Sequence, residues 1–262
     1  MDLGLRDRAC IVTGASGGIG RHAAVTLARE RAAVLLVGRR AGVLADVEAE
    51  CRAAGGRSAA LELDVTAADA GERAVWECVR HFDRVDALVN GAGTSAVRTP
   101  EQLTDEEWQG QWELHVMAPM RLMRAAAPAM ADRGWGRIVN LCSSSGKRPS
   151  GMNMAYSVTK AAQLSLSRAF ADQYANRGVL VNAVAPGPVR GDLWLAPGGM
   201  AGGDPRSPYA VEEGHTIWAF PPFFIFCSAS VQQGTTPFSG NSAGSPRLIE
   251  LSKTVPSTSL PS

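Results

Sequence analysis

The stretch that decides the fold is Thr13-Gly14-Ala15-Ser16-Gly17-Gly18-Ile19-Gly20. An apolar run, Ala9–Thr13, leads into it. A segment with apolar residues three and four apart, Ile19–Arg31, leads out. The spacing predicts a strand that turns sharply into a helix. The free N–H groups of the helix's first turn and the positive end of its dipole would face that turn. A pyrophosphate can sit there only if the backbone comes close, which side chains at Gly14 and Gly18 would prevent. Gly20 would let the helix pack tightly on a sheet. A glycine-rich surface turn is the plain alternative. The context, first strand into first helix, favours a dinucleotide held by Thr13, Gly14, Ser16, Gly18, Ile19 and Gly20.

Outward from this turn the chain alternates between two periodicities. Short apolar runs rich in Val, Ile and Leu stand at Ala9–Thr13, Ala33–Val37, Ala59–Leu63, Ala87–Asn90, Arg137–Leu141 and Leu180–Ala183. Each is apolar on both faces, as a strand buried in a parallel sheet must be. Between them lie helical patterns at Ile19–Arg31, Val43–Ala54, Ala67–His81, Glu106–Arg133 and Met152–Arg177. Strand–helix alternation with short links predicts an α/β fold, a Rossmann-type doubly wound parallel sheet in one domain.

Composition narrows the function classes. The 262 residues carry 26 Lys+Arg against 25 Asp+Glu, a net charge of +1 with no long run of either sign. That argues against nucleic acid as a partner. Mean hydropathy is −0.04 and no apolar stretch approaches the ~20 residues of a membrane span. Five cysteines, an odd count without a CxxC, read as buried free thiols in a reducing compartment. No metal-ligating pattern stands out. The opening residues, Met1 to Asp7, show no basic-then-apolar signal, so a cytoplasmic protein is expected.

The second strand ends Val37-Gly38-Arg39-Arg40. A site selective for NAD(H) wants a carboxylate here for the ribose 2′-hydroxyl. A guanidinium suits a 2′-phosphate, so NADP(H) is expected, with Arg39 in that role and Arg40 as the weaker candidate. A solvated charge at a strand end is the alternative. Farther on, Tyr156 and Lys160 stand four apart in a helical segment, so phenol and ammonium share a face. A nearby cation lowers a phenol's pKa from about 10, making tyrosine a usable proton donor or acceptor beside a carbonyl. The preceding strand ends in Cys142-Ser143-Ser144-Ser145, whose hydroxyls could orient a substrate oxygen.

Together these residues resemble the short-chain dehydrogenase/reductase family, close to its 3-oxoacyl-carrier-protein reductase-like members. The resemblance rests on Thr13-Gly14-x-x-x-Gly18-x-Gly20, Asp64-Val65, Asn90-Gly91-Ala92-Gly93, Gly136 to Asn140, Ser143, Tyr156-x-x-x-Lys160 and Asn182 to Val189. They occur in order over residues 6–195. It implies hydride transfer between NADP(H) and a carbonyl or secondary alcohol, of 3-oxoacyl-thioester or ketone type. Tyr156 would be the general acid/base. Lys160 would lower its pKa and hold the nicotinamide ribose, and Ser143 would bind the substrate oxygen. Asp64 and Val65 would contact adenine, Asn90 and Gly93 would line the cofactor cleft, and Pro186, Gly187 and Val189 would border the nicotinamide. A homodimer or homotetramer is implied as well.

The pattern also departs from the family. Gly91 replaces an asparagine, which predicts a modest stability loss. His115 stands where the family carries a catalytic asparagine that holds a water linking the lysine to solvent. Either its imidazole continues a proton relay, or it is a packed residue. Gly191 replaces a threonine. After Pro197 the character changes: residues 198–262 hold 26 Gly, Pro or Ser among 65 and five of the seven Phe. The expected division is residues 1–197, binding and catalysis, and 198–262, an irregular C-terminal segment such as a shifted reading frame would give. The alternative function is therefore a dinucleotide-binding protein with little or no turnover.

Overall fold

A computed structural model describes residues 3–95, 97–187 and 189, and the strand Phe224–Phe226. Six parallel strands form the body of one sheet: β1 (Ala9–Thr13), β2 (Ala33–Gly38), β3 (Arg57–Glu62), β4 (Ala87–Asn90), β5 (Gly136–Leu141) and β6 (Val179–Ala185). The helices are α1 (Gly18–Arg29), α2 (Ala41–Ala53), α3 (Ala70–Phe82), α4 (Asp105–Trp112), α5 (Ala118–Asp132) and α6 (Met154–Tyr174). With the strand Phe224–Phe226 as β7, the strand order is β3-β2-β1-β4-β5-β6-β7, the doubly wound arrangement expected.

Apolar residues on both strand faces reflect two cores. Cys10, Val12, Val34 and Leu36 pack against α1 and α2 through Ala24, Ala28, Leu44 and Val47. Ile11, Leu35, Leu88, Ile138 and Val181 meet α3 and α5 on the other face through Ala74, Leu122, Met123 and Met130. Side chains alternate along each strand, so a strand between two helical layers must be apolar throughout. β3 differs: it is an edge strand, and of its six residues only Ala59 is buried. An edge strand needs less apolar cover, which is why its start at Arg57 escaped the apolar pattern.

Two further differences bear on the site. The segment Glu106–Arg133 is not one α-helix. α4, begun by a Thr104–Glu107 capping box, passes through a π-helical turn, Glu113–Met117, before α5. Pro119 lacks the N–H that would bond to the His115 carbonyl, so a regular α-helical ladder cannot run through this point. Secondly, β7 (Phe224–Phe226) joins the sheet, antiparallel to β6, with Val184 opposite Ile225. The remainder of 198–262, and Gly191, lie outside the described residues.

Candidate active site

The sheet reverses its winding between β1 and β4, and a crevice opens there at the carboxyl ends of the strands. Thr13 ties its two walls: its Oγ1 accepts the N–H of Gly91 at 3.0 Å and of Ala92 at 3.3 Å. A Cβ on Gly14 would lie 2.6 Å from the Gly91 carbonyl oxygen. Gly14, at φ +67°, therefore serves the close approach of two strand ends. Gly20 behaves as expected; a Cβ there would overlap the Gly14 carbonyl. Gly18 has φ +51° and its absent Cβ points into open space. No side chain caps α1 and its first turn holds no acidic residue, so its leading N–H groups remain available to an anion.

Gly91 is constrained too. A Cβ would fall 2.7 Å from the Thr13 carbonyl oxygen. A side chain does not fit this position as it stands.

A cleft of about 1210 Å³ runs from this turn to Tyr156. It is lined by Gly14, Ser16, Gly18, Ile19, Gly20, Arg39, Asp64, Val65, Gly93, Ser143, Tyr156, Lys160, Pro186, Gly187 and Val189. Thr13, Asn90 and His115 do not line it; all three are buried. The Arg40 guanidinium donates to the Ser16 carbonyl and hydroxyl oxygens at 3.0 Å each, bracing the glycine turn. Arg39 makes no such bond; its charge helps hold the Asp64 carboxyl below its usual range, after the larger effect of hydrogen bonds from Thr66.

Ser143 follows β5 and caps a short 3₁₀ turn, its Oγ accepting the Ser145 N–H at 3.1 Å. Its hydroxyl also acts on the Tyr156 phenol of α6, favouring the phenolate. The Lys160 ammonium, buried on the same helix, donates to the Leu141 carbonyl at 2.7 Å and to Gln163 Oε1 at 2.9 Å. Burial lowers its pKa to about 8. Tyr156 corrects one expectation. Burial raises its pKa, outweighing the Ser143 hydrogen bond that lowers it. Lys160 lies 5.6 Å from the phenol ring centroid, and two of its three donors go to Leu141 and Gln163.

His115 sits on the π turn, fully buried. The Thr94 backbone N–H donates to its Nε2 at 3.2 Å, which assigns the proton to Nδ1. Nδ1 faces Thr159 Oγ1 at 3.1 Å. Burial and the Lys160 charge hold its pKa well below the usual histidine value.

The sequence pattern of the short chain dehydrogenase family matches residues 8–196. The chain belongs to that family. A short-chain dehydrogenase is an oxidoreductase that binds a nicotinamide dinucleotide, and relatives vary in cofactor. A γ-butyrolactone 1′-reductase of A-factor type from Streptomyces virginiae is 37% identical over 197 residues, 73% of this chain and 77% of its own. A 3-oxoacyl (acyl-carrier-protein) reductase from Agrobacterium tumefaciens C58, solved with NADP bound, is 36% identical with a TM-score of 0.68, covering 72% of each chain. An NAD⁺-bound xylitol dehydrogenase is 30% identical, also with a TM-score of 0.68, covering 70% of this chain and 71% of its own.

Within this short-chain dehydrogenase, sequence reasoning missed Gln163, Thr94, Thr159 and the bracing by Arg40. Gln163 had one readable signal: an uncharged polar residue one turn beyond Lys160. Thr94 acts through its backbone, which no residue pattern reveals.

Proposed function

We propose that the chain transfers a hydride between NADP(H) and a carbonyl or secondary alcohol, a 3-oxoacyl thioester or a ketone, with Tyr156 as general acid/base. The observation that carries this reading is that Ser143, Tyr156 and Lys160 come together on the wall of the cleft that begins at the uncapped start of α1. That helix start and the side-chain-free space at Gly18 fit a pyrophosphate. Arg39 would take the 2′-phosphate, Asp64 and Val65 the adenine, Gly93 the cleft wall with Asn90 buried behind it, and Pro186, Gly187 and Val189 the nicotinamide side. NADPH, when bound, supplies the hydride to the carbonyl carbon. The protonated Tyr156 phenol gives its proton to the carbonyl oxygen while the Ser143 hydroxyl holds that oxygen. The Lys160 ammonium stabilises the phenolate left behind. In the oxidative direction the phenolate takes the alcohol proton. His115, whose two ring nitrogens already have partners, serves as a neutral post beside Tyr156. A homodimer through α5 and α6 belongs to the same reading.

The second reading is dinucleotide binding with little or no turnover. It is favoured by the family match ending at residue 196 and by β7 running antiparallel over only three residues. NADPH consumption with a panel of ketones and 3-oxoacyl thioesters, comparing wild type with Tyr156→Phe, separates the two. The first reading expects at least about a 100-fold loss in the variant with NADPH binding kept. Retained activity overturns Tyr156 as proton donor; binding without turnover in wild type favours the second reading.

A further inference from the structure

Gln163 lies one turn beyond Lys160 on α6 and is buried. An ammonium has three N–H donors and no acceptor, so the amide must present its oxygen to Lys160. Its Nε2 is then left buried with no hydrogen-bond partner among the described residues. Such an orphan is destabilising, and a leucine or methionine of similar size would avoid it. What the glutamine supplies here is therefore its oxygen, held against the buried ammonium, and not its amide nitrogen.

The surrounding bonds fix the turn of α6 that carries this side chain. The Gln163 backbone carbonyl accepts from Ser167 Oγ at 2.6 Å. Ser167 Oγ accepts from Asn140 Nδ2 at 2.8 Å, and Asn140 Oδ1 accepts from Asn90 Nδ2 at 2.7 Å. This chain ties α6 at Gln163 to the centre of the sheet on β4 and β5. The two acceptors of Lys160, Leu141 on β5 and Gln163 on α6, thus belong to the elements that present Ser143 and Tyr156.

We propose that Gln163 is a positioning residue: its amide oxygen and the Leu141 carbonyl take two of the three Lys160 donors and leave the third for the dinucleotide's ribose hydroxyls in the cleft. This rests on the functional reading above. The amide gives the lysine an acceptor without a charge. The titratable groups facing the ammonium are Cys142 after β5, Tyr156 on α6 and His115 on the π turn, none of them a carboxylate. A neutral acceptor lets burial keep the lysine's titration near neutrality, where a carboxylate would lift it.

The chain has three lysines, Lys147, Lys160 and Lys253, so the whole protein labelled with ¹³C-lysine gives a readable NMR titration. Lys160→Met assigns the resonance, whose wild-type midpoint is expected at about 8. Gln163→Leu should lower the midpoint by about one pH unit and weaken NADPH binding about tenfold; Gln163→Glu should raise the midpoint by at least about one unit. Gln163→Met repeats the first arm if the leucine variant does not fold, and an unchanged far-UV circular dichroism spectrum reports a native chain. An unmoved Lys160 midpoint with unchanged NADPH affinity overturns the proposal. A wild-type chain that binds no NADPH sinks the functional reading instead, while the titration still scores the Gln163–Lys160 contact.

Discussion

His115 stands edge-on to Tyr156, with ring centroids 5.3 Å apart and planes at 87°. This places the positive ring edge of one aromatic against the face of the other, a favourable arrangement. It also puts a buried imidazole where a charge would be costly. His115 should remain neutral, protonated on Nδ1; ¹⁵N spectra of its imidazole between about pH 5 and 8, assigned with His115→Asn, test this. The folded pKa lies below the unfolded value of about 6.5, so as pH falls the unfolded chain takes the proton first. Stability present above about pH 6.5 is therefore lost as pH drops toward the folded pKa, by up to about 1.4 kcal/mol per unit. His115→Asn should remove that contribution in urea unfolding at pH 7.5 and 5; an identical pH slope would count against a buried neutral imidazole.

The glycines of the first turn should separate stability from binding. A Cβ at Gly20 meets backbone, the Gly14 carbonyl, which cannot swing aside. Gly20→Ala should cost at least about 2 kcal/mol in thermal or urea unfolding. A Cβ at Gly18 meets nothing, but φ there is +51°. Gly18→Ala should cost only about 1–2 kcal/mol and weaken NADPH binding more than it weakens the fold. Equal effects of the two variants on both measurements would contradict this division.

Arg39 and Arg40 are adjacent in sequence and different in use. Arg39→Ala should raise the NADPH dissociation constant roughly 10- to 100-fold and leave NADH nearly unchanged, because only the 2′-phosphate is lost as a partner. Arg40→Ala releases the Ser16 turn and should weaken both cofactors alike. Fluorescence titrations with the two reduced cofactors read the difference; loss of NADPH preference in Arg40→Ala alone would exchange the two roles.

Burial keeps the Tyr156 phenol protonated, which suits reduction and hinders oxidation. Between about pH 6 and 8 the rate of ketone reduction should stay flat, while alcohol oxidation should rise about tenfold per unit. Above about 8 the oxidative limb should bend as Lys160 loses its proton and the phenolate its stabilising charge. A flat oxidative profile would remove Tyr156 from the proton-transfer step.

Ser16 and Gln163 show where reading the sequence stops. The glycine turn, the strand runs and the Tyr156–Lys160 spacing follow from local rules: glycine's freedom at positive φ, the two-residue period of strands, and the shared face of residues one helical turn apart. They were legible because each depends on neighbours a few positions away. The bracing of Ser16 by Arg40 spans 24 residues, and the approach of Gly14 to Gly91 spans the crossover between β1 and β4. Neither leaves a periodic trace.

The amino-acid order alone determined the doubly wound sheet, the cleft's position at the end of the first strand, and the residue types able to move a proton. The tertiary structure decided which partners those groups hold. It showed Lys160 bound to two neutral carbonyls, Tyr156 raised in pKa, and His115 pinned between Thr94 and Thr159. The reason is that hydrogen-bond partners and desolvation depend on packing between distant segments, whereas strand and helix formation depend chiefly on the pattern along the chain.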